Sequence, residues 1–186
     1  SKDEEESKDI KFDVDGVKVS NSAVTYTDEA TGARYALSAF NLTSGHIALA
    51  EPVDLATDFN VSASQPAIAA NVKLKGNFLA DPDNKHFFAK NLDAAISGNL
   101  HGGKAVKITA SGDVDAKPET REFLVDSMKF AVAGEFSGAK INLDLNAPAL
   151  IAKKDEVTGK KVTVSLTQEK AGDTFKANLV LADIKG

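Results

Sequence analysis

The chain has 186 residues, 42% of them hydrophobic and 26% charged, enough for one or two globular units with real apolar burial. A net charge of −5 and a pI near 5.2 give no electrostatic pull toward nucleic acid or an anionic membrane surface, and the absence of cysteine excludes disulfides and thiol chemistry. No apolar run approaches the roughly 20 residues that span a bilayer as a helix, and no signal peptide is visible.

Ser1 to Asp9 hold five acids, two lysines and nothing apolar. Residues 1–10 therefore read as a disordered lead or linker ahead of a β-rich part over 11–186. From there the pattern is alternation. Phe12 and Val14, then Val17 and Val19, alternate around Gly16; Val24 and Tyr26 precede a turn at Asp28-Glu-Ala-Thr-Gly32, and Tyr35 and Leu37 follow it. Short strands are expected at Ile47–Leu49, Val53–Leu55, Phe59–Val61, Ile68–Leu74 and Phe78–Leu79, and later at Val162–Leu166 and Phe175–Leu181. Turn chemistry separates them at 81–84, 101–103, 116–118, 157–159 and 171–173.

A unit in the middle of the chain appears twice. His86-Phe-Phe-Ala-Lys-Asn-Leu-Asp-Ala-Ala-Ile-Ser-Gly-Asn-Leu100 returns as Glu122-Phe-Leu-Val-Asp-Ser-Met-Lys-Phe-Ala-Val-Ala-Gly-Glu-Phe136, an offset of 36 residues. Each copy continues through a glycine turn into an alternating strand, so the repeats extend near 86–116 and 122–152. Repetition at this period points to a modular array rather than one catalytic pocket. The best helical candidate is 118–132, but the first copy of the repeat, with Asn91, Ser97 and a phenylalanine pair, argues against it.

Together these signals predict a mainly β fold, an antiparallel meander of roughly a dozen strands with little helix. Most strands are apolar on one face only, and that face needs a cover. The sheet can fold over as a sandwich, close as a barrel, or curl into a groove. On the pattern alone the closed form is expected, because dry cores are commoner.

Fragments that imitate catalytic or metal motifs fail on context. Gly98-Asn-Leu-His-Gly-Gly-Lys104 matches a P-loop spacing, but Ala105 stands where Ser or Thr is needed and a strand follows instead of a helix. Ser137-Gly-Ala-Lys140 lacks the helix and partner motifs of an S-x-x-K nucleophile. Asp13-Val-Asp-Gly16 resembles the start of a calcium loop, yet Lys11 and Ser22 would fill its first and last positions. Asp81-Pro-Asp-Asn84 reads as a type I turn. His46, His86 and His101 have no ligand partner at helical or strand spacing, so no metal site and no cofactor is expected. No catalytic constellation can be assembled, and the expectation is a protein that is not an enzyme.

The N-terminal strands carry a family resemblance. Phe12-Asp-Val-Asp-Gly-Val-Lys-Val-Ser-Asn-Ser-Ala-Val-Thr-Tyr-Thr-Asp-Glu-Ala-Thr-Gly32 resembles the characteristic segment of AsmA-type proteins, in which an alternating strand runs into a D-x-x-T-G turn. Tyr35 to Ile47, Pro52 to Phe59 and Ile68 to Gly76 continue the likeness. So do the F-x-x-x-x-L-x-x-x-I-x-G units that start at Phe87 and Phe123, and the resemblance spans roughly Lys11 to Gly186.

The resemblance implies a periplasmic segment of a bacterial protein anchored to the inner membrane and linked to outer-membrane biogenesis. It is also similar to repeating β-groove proteins that carry lipid between membranes. On that footing the meander curls into a groove or open sandwich. Its partners would be phospholipid or lipopolysaccharide-related lipids and other envelope proteins, with no nucleic acid. The lipid-facing candidates are Phe87, Leu92, Ile96, Ile108, Phe123, Met128, Val132, Ile141 and Leu143. The alternative is a structural β spacer or assembly scaffold with a dry core.

Overall fold

The structure, a computed structural model, describes residues 13–186; Phe12 and the expected lead over 1–10 lie outside the described residues. Twelve strands follow one another: β1 (Asp13–Val14), β2 (Lys18–Thr27), β3 (Arg34–Ser44), β4 (Ile47–Ala48), β5 (Val53–Ser64), β6 (Ala67–Asp81), β7 (His86–Leu100), β8 (Gly103–Lys117), β9 (Glu122–Phe136), β10 (Ala139–Lys153), β11 (Glu156–Lys170) and β12 (Asp173–Lys185). Ten of them form one antiparallel sheet in the order β12-β11-β10-β9-β8-β7-β6-β5-β3-β2. β1 and β4 pair separately through two residue pairs. The expected meander is present, and it is not closed into a barrel.

The two copies of the repeat are strands β7 and β9, each of 15 residues. Tight turns set the hairpin registers. Ser137 and Gly138 have φ of 50° and 76°, and Ala171 and Gly172 have 50° and 85°. Two consecutive positive values mark the turn whose twist matches that of its flanking strands. Two local expectations are corrected. The helical candidate over 118–132 is a single turn, Pro118–Thr120, after which the chain extends into β9; Arg121 in the left-handed region ends the turn. The break expected at 157–159 lies inside β11, because the chain reverses earlier, between Lys153 and Glu156.

Directly opposed residues of neighbouring strands share a face, so the registers fix the two faces. One face carries the row Val19, Leu42, Thr57, Leu74, Ala94, Ala110, Phe130, Leu145, Val164, Leu179, which crosses all ten strands. The opposite face carries Asn41, Asp58, Lys73, Ala95, Thr109, Ala131, Asp144, Ser165 and Asn178.

A seam of irregularities crosses β7 to β12. The apolar series steps by three residues instead of two from Ala89 to Leu92, Val125 to Met128, Ala147 to Leu150, Gly159 to Val162 and Leu181 to Ile184. Asn91, Ser127 and Lys161 sit in this step with φ of 50°, 51° and 30°. Such bulges bend a strand and increase its twist, and the odd step returns the apolar residues to their own face beyond the bend. Side chains on neighbouring strands satisfy the amides that bulges release. The N–H of Asn21 donates to Asn41 Oδ1 at 2.9 Å, that of Asn91 to Asp113 Oδ1 at 2.6 Å, and that of Ala105 to Asn99 Oδ1 at 3.1 Å.

Among the described residues no second layer covers the sheet. Strand makes up 80% of the structure and helix 2%, and the two-residue strands β1 and β4 are too short to shield ten others. The closed sandwich expected from the pattern alone is therefore replaced by an open sheet. The chain exposes 12967 Å², whereas a compact globule of 19.5 kDa exposes about 8,500 Å². The buried apolar residues are few and mostly small: Ala33, Ala70, Leu79, Val106, Ala139 and Ala147.

Candidate functional site: the uncovered apolar face

The apolar face is built row by row from the strand registers. Beside the ten-strand row runs a second one, Phe59, Val72, Ile96, Ile108, Val132, Leu143, Leu166, Ala177. Across the seam lies a third, Phe78, Ala89, Val114, Val125, Leu150, Gly159, Ile184. Branched and aromatic side chains stand above a pleated surface, where cross-strand neighbours shield one another's flanks. Among the described residues no other layer stands above their tips.

All nine residues singled out in the sequence lie on this face. Ile96, Ile108, Val132 and Leu143 are consecutive members of the second row. Phe87 and Phe123 oppose Ala116 from either side. Leu92 opposes Gly112, Met128 opposes Ala147, and Ile141 opposes Gly134. None is buried: Phe87 and Phe123 remain 38% and 49% exposed, and the other seven are half-buried. The second phenylalanine of the pair, Phe88, points to the polar face, where Lys90 Nζ sits 4.5 Å from its ring centroid and His86 packs edge-on.

Among the described residues Val106 is the one large side chain that is almost fully buried, at 2% exposure. A Cβ at Gly134 would fall 3.1 Å from Val106 Cα and 3.2 Å from the Phe136 ring. The absence of that Cβ lets the Phe136 ring lie against the sheet beside Val106, an aromatic cover for a glycine-thinned patch. Burial on this face therefore comes from neighbours on the same face.

The sequence reading missed the breadth of the face. Its candidates come from β7 to β10, while β11 is a third copy of the same strand, offset by 34 residues from β9. Val157, Val162 and Leu166 take the places of Phe123, Met128 and Val132, and Lys161 takes the left-handed place of Ser127. The faint signal was the spacing Val157, Val162, Leu166, hidden because a glycine stands where β9 has Val125.

The opposite face carries side-chain polar pairs, with Leu79, Phe88, Leu124 and Ile151 forming an apolar stretch beyond the seam. Hollows of about 540 and 520 Å³ open on it, lined among others by Asn77, Lys75 and Asp54 in the first and Asn41, Asp58, Lys73 and Asp93 in the second. Asn77 Nδ2 donates to Asp54 Oδ1 at 2.9 Å and Asn41 Nδ2 to Asp58 Oδ1 at 3.2 Å. His86 Nε2 lies 2.8 Å from Asp115 Oδ1. These open hollows set charged and amide side chains beside Leu55 and Ala56 in the first and Leu42, Leu74 and Ala95 in the second.

Two turn carboxylates are held below the usual range. The Asn84 side-chain amide, 2.7 Å from Asp81 Oδ2, is the main cause at Asp81, reinforced by the Asn84 backbone N–H at 3.0 Å. At Asp28 the Thr31 hydroxyl, 2.8 Å from Oδ2, comes first, followed by the Ala30 amide. Both pin turns, as expected for aspartate at the start of a reverse turn.

Among the described residues no helix is long and apolar enough to cross a membrane. The fold and this face define an open, two-faced antiparallel sheet. No protein-family model matches the chain, and no match was found among curated proteins or solved structures.

Proposed function

We propose that the protein binds the acyl chains of lipids on its apolar face, and that it serves as a periplasmic segment of an AsmA-like envelope protein. In this reading it conducts phospholipid between the inner and outer membranes, without catalysing a reaction, as part of outer-membrane biogenesis. The full-length protein would be held at the inner membrane.

One observation carries the reading: apolar rows, one of them Phe59, Val72, Ile96, Ile108, Val132, Leu143 and Leu166 without interruption, cross the sheet with no layer over them among the described residues. An exposed apolar surface of this extent is unfavourable in water and marks an interaction site. Each methylene of an acyl chain laid on it gains about 0.8 kcal/mol when fully shielded. Among the described residues the face has no convergent polar groups to select a headgroup, which suits a conduit for chains more than a receptor for one lipid. The resemblance of the 12–32 segment to AsmA-type proteins supplies the compartment.

The test is lipid extraction and mass spectrometry of the purified chain, beside variants Ile108→Asp and Phe130→Asp. Co-purifying phospholipid that both variants lose is the expected result. Protein that comes up empty in repeated preparations, and that fails to take up a fluorescent fatty acid, would overturn the reading and leave a structural spacer or assembly scaffold.

A further inference from the structure

The two edges of the large sheet are guarded differently. An edge strand offers a row of unpaired N–H and C=O groups, and proteins blunt it with short strands, bulges, prolines or charges. At one end β2 is 10 residues long, and its register shifts twice around the left-handed Asn21. At the other end β12 runs for 13 residues without a proline or a left-handed residue. Its centre, Ala177-Asn-Leu-Val-Leu-Ala182, is uncharged, the composition that favours strand-to-strand association.

The interior strand β10 shows that this is a departure within the repeat. β12 is its counterpart at an offset of 34 residues, with the same register to the strand before it: Leu143 opposes Val132 as Ala177 opposes Leu166. Asn178, Val180 and Ala182 of β12 stand where β10 has Asp144, Asn146 and Pro148. The interior strand thus carries the charge and the proline that keep an edge single, and the edge strand lacks both. Val180 points an apolar side chain to the polar face and is 55% exposed, while Phe175, Leu179 and Leu181 on the apolar face are 44–57% exposed.

We propose that β12 is an association edge, which pairs antiparallel with β12 of a second copy about a two-fold axis at Leu179 and joins two ten-stranded sheets into one. Pattern and charge select this occupant, because β12 is complementary to itself. With Leu179 opposite its own copy, Ala177 meets Leu181 and Asn178 meets Val180. Beyond the odd step at Ala182, given a one-residue slip of the kind present on either side of β8, Ile184 meets Phe175 and Asp183 meets Lys176. Each of these pairs occurs twice, as an isologous contact requires. A shift of one residue would set every apolar side chain against the wrong face. The axis is normal to the sheet, so both apolar faces stay on one side. The row Leu145, Val164, Leu179 then runs on into Leu179, Val164 and Leu145 of the second copy.

The experiment is sedimentation equilibrium of the delipidated chain over a range of concentrations, beside Val180→Lys, with two single-cysteine variants as position markers. The chain has no cysteine of its own, so any disulfide reports one position. The expected result is a monomer–dimer equilibrium that Val180→Lys weakens by about tenfold or more, because symmetry applies each unfavourable cross-strand contact twice. Val180 is exposed, so dilute Val180→Lys should show the circular dichroism of the wild type. Leu179→Cys should cross-link to its own copy under mild oxidation, since directly opposed residues are about 4.5–5.5 Å apart between Cα atoms. Thr174→Cys should not, its copies lying about 34 Å apart along the strands. In the dilute monomer β12 exchanges its amides as an edge, and its exchange alone should slow as dimer forms. A chain that stays monomeric into the millimolar range would overturn the proposal. So would a dimer unaffected by Val180→Lys in which Thr174→Cys links as readily as Leu179→Cys, which would place the contact on another surface. Either outcome leaves the lipid reading of the apolar face to its own test.

Discussion

Asp81 shows how much of this molecule rests on single side chains that close turns. Its carboxylate is buried and receives two bonds from Asn84, and its pKa is lowered chiefly by the side-chain one. A carboxyl whose pKa is depressed on folding stabilises the native state above its unfolded value, and that contribution fades as pH falls through the folded one. Asp28 behaves alike, held down by Thr31. Thermal stability should therefore be flat from neutral pH to about pH 5 and drop below about pH 4. Melting curves from pH 7 to pH 3 on wild type and Asp81→Asn check this. The variant should lose stability at neutral pH and show a shallower acid drop, and parallel curves would contradict the assignment. The turn at 81–84 was legible from Asp81-Pro-Asp-Asn84 alone, since those residues close turns by local bonds that need no tertiary partner. The same was not true of Asn41, Asn99 and Asp113. Their role as acceptors for bulge amides depends on which strand lies alongside, and nothing in their own neighbourhood announces it.

At the scale of the strand, the alternation that marks each element is interrupted at one level across half the sheet. Ser127 in β9 has φ of 51°, a conformation that costs a non-glycine residue roughly 1–2 kcal/mol and a β-branched one more. Ser127→Gly should therefore leave stability unchanged or raise it slightly, while Ser127→Val should lower it by about 1–2 kcal/mol in urea unfolding. Equal effects would mean that the residue does not keep its left-handed conformation in solution. At the same level in β8, Gly112 has φ of 130°, and a Cβ there would meet Met128 Cα at 2.8 Å, so the seam is closed to side chains at that point. The strands themselves were readable because period-two patterning survives on either side of the seam. The seam was not, because Asn91, Ser127 and Lys161 share a backbone conformation and no side-chain chemistry. The doubled segment was visible through Phe87 and Phe123, whereas its third appearance in β11 was masked by Gly159 and Lys161. Open and closed sheets use the same alternation, so Ile96 or Val132 looks identical whether its tip meets protein or nothing; only the strand registers separate the two.

For the whole molecule the governing fact is that pairing in the large sheet joins strands adjacent in sequence, with β4 alone looped out between β3 and β5. Stability in such an arrangement is close to a sum of nearest-neighbour terms, as in repeat proteins, so opening should begin at the edges. Native-state hydrogen exchange should find the amides of β2 and β12 fastest and those of β7 to β9 slowest. A single uniform rate class across all ten strands would instead mean one cooperative core. Phe175, Leu179, Val180 and Leu181 of β12 are 44–57% exposed, in keeping with an edge that holds the least. The same nearest-neighbour plan has a consequence in evolution. Copying or deleting one hairpin, such as the 36-residue step that separates Phe87 from Phe123, widens or narrows the sheet by about 9–10 Å and asks no other part of the chain to change. The width of such a sheet is thus set by how many hairpins its gene carries, a quantity that duplication can adjust one unit at a time.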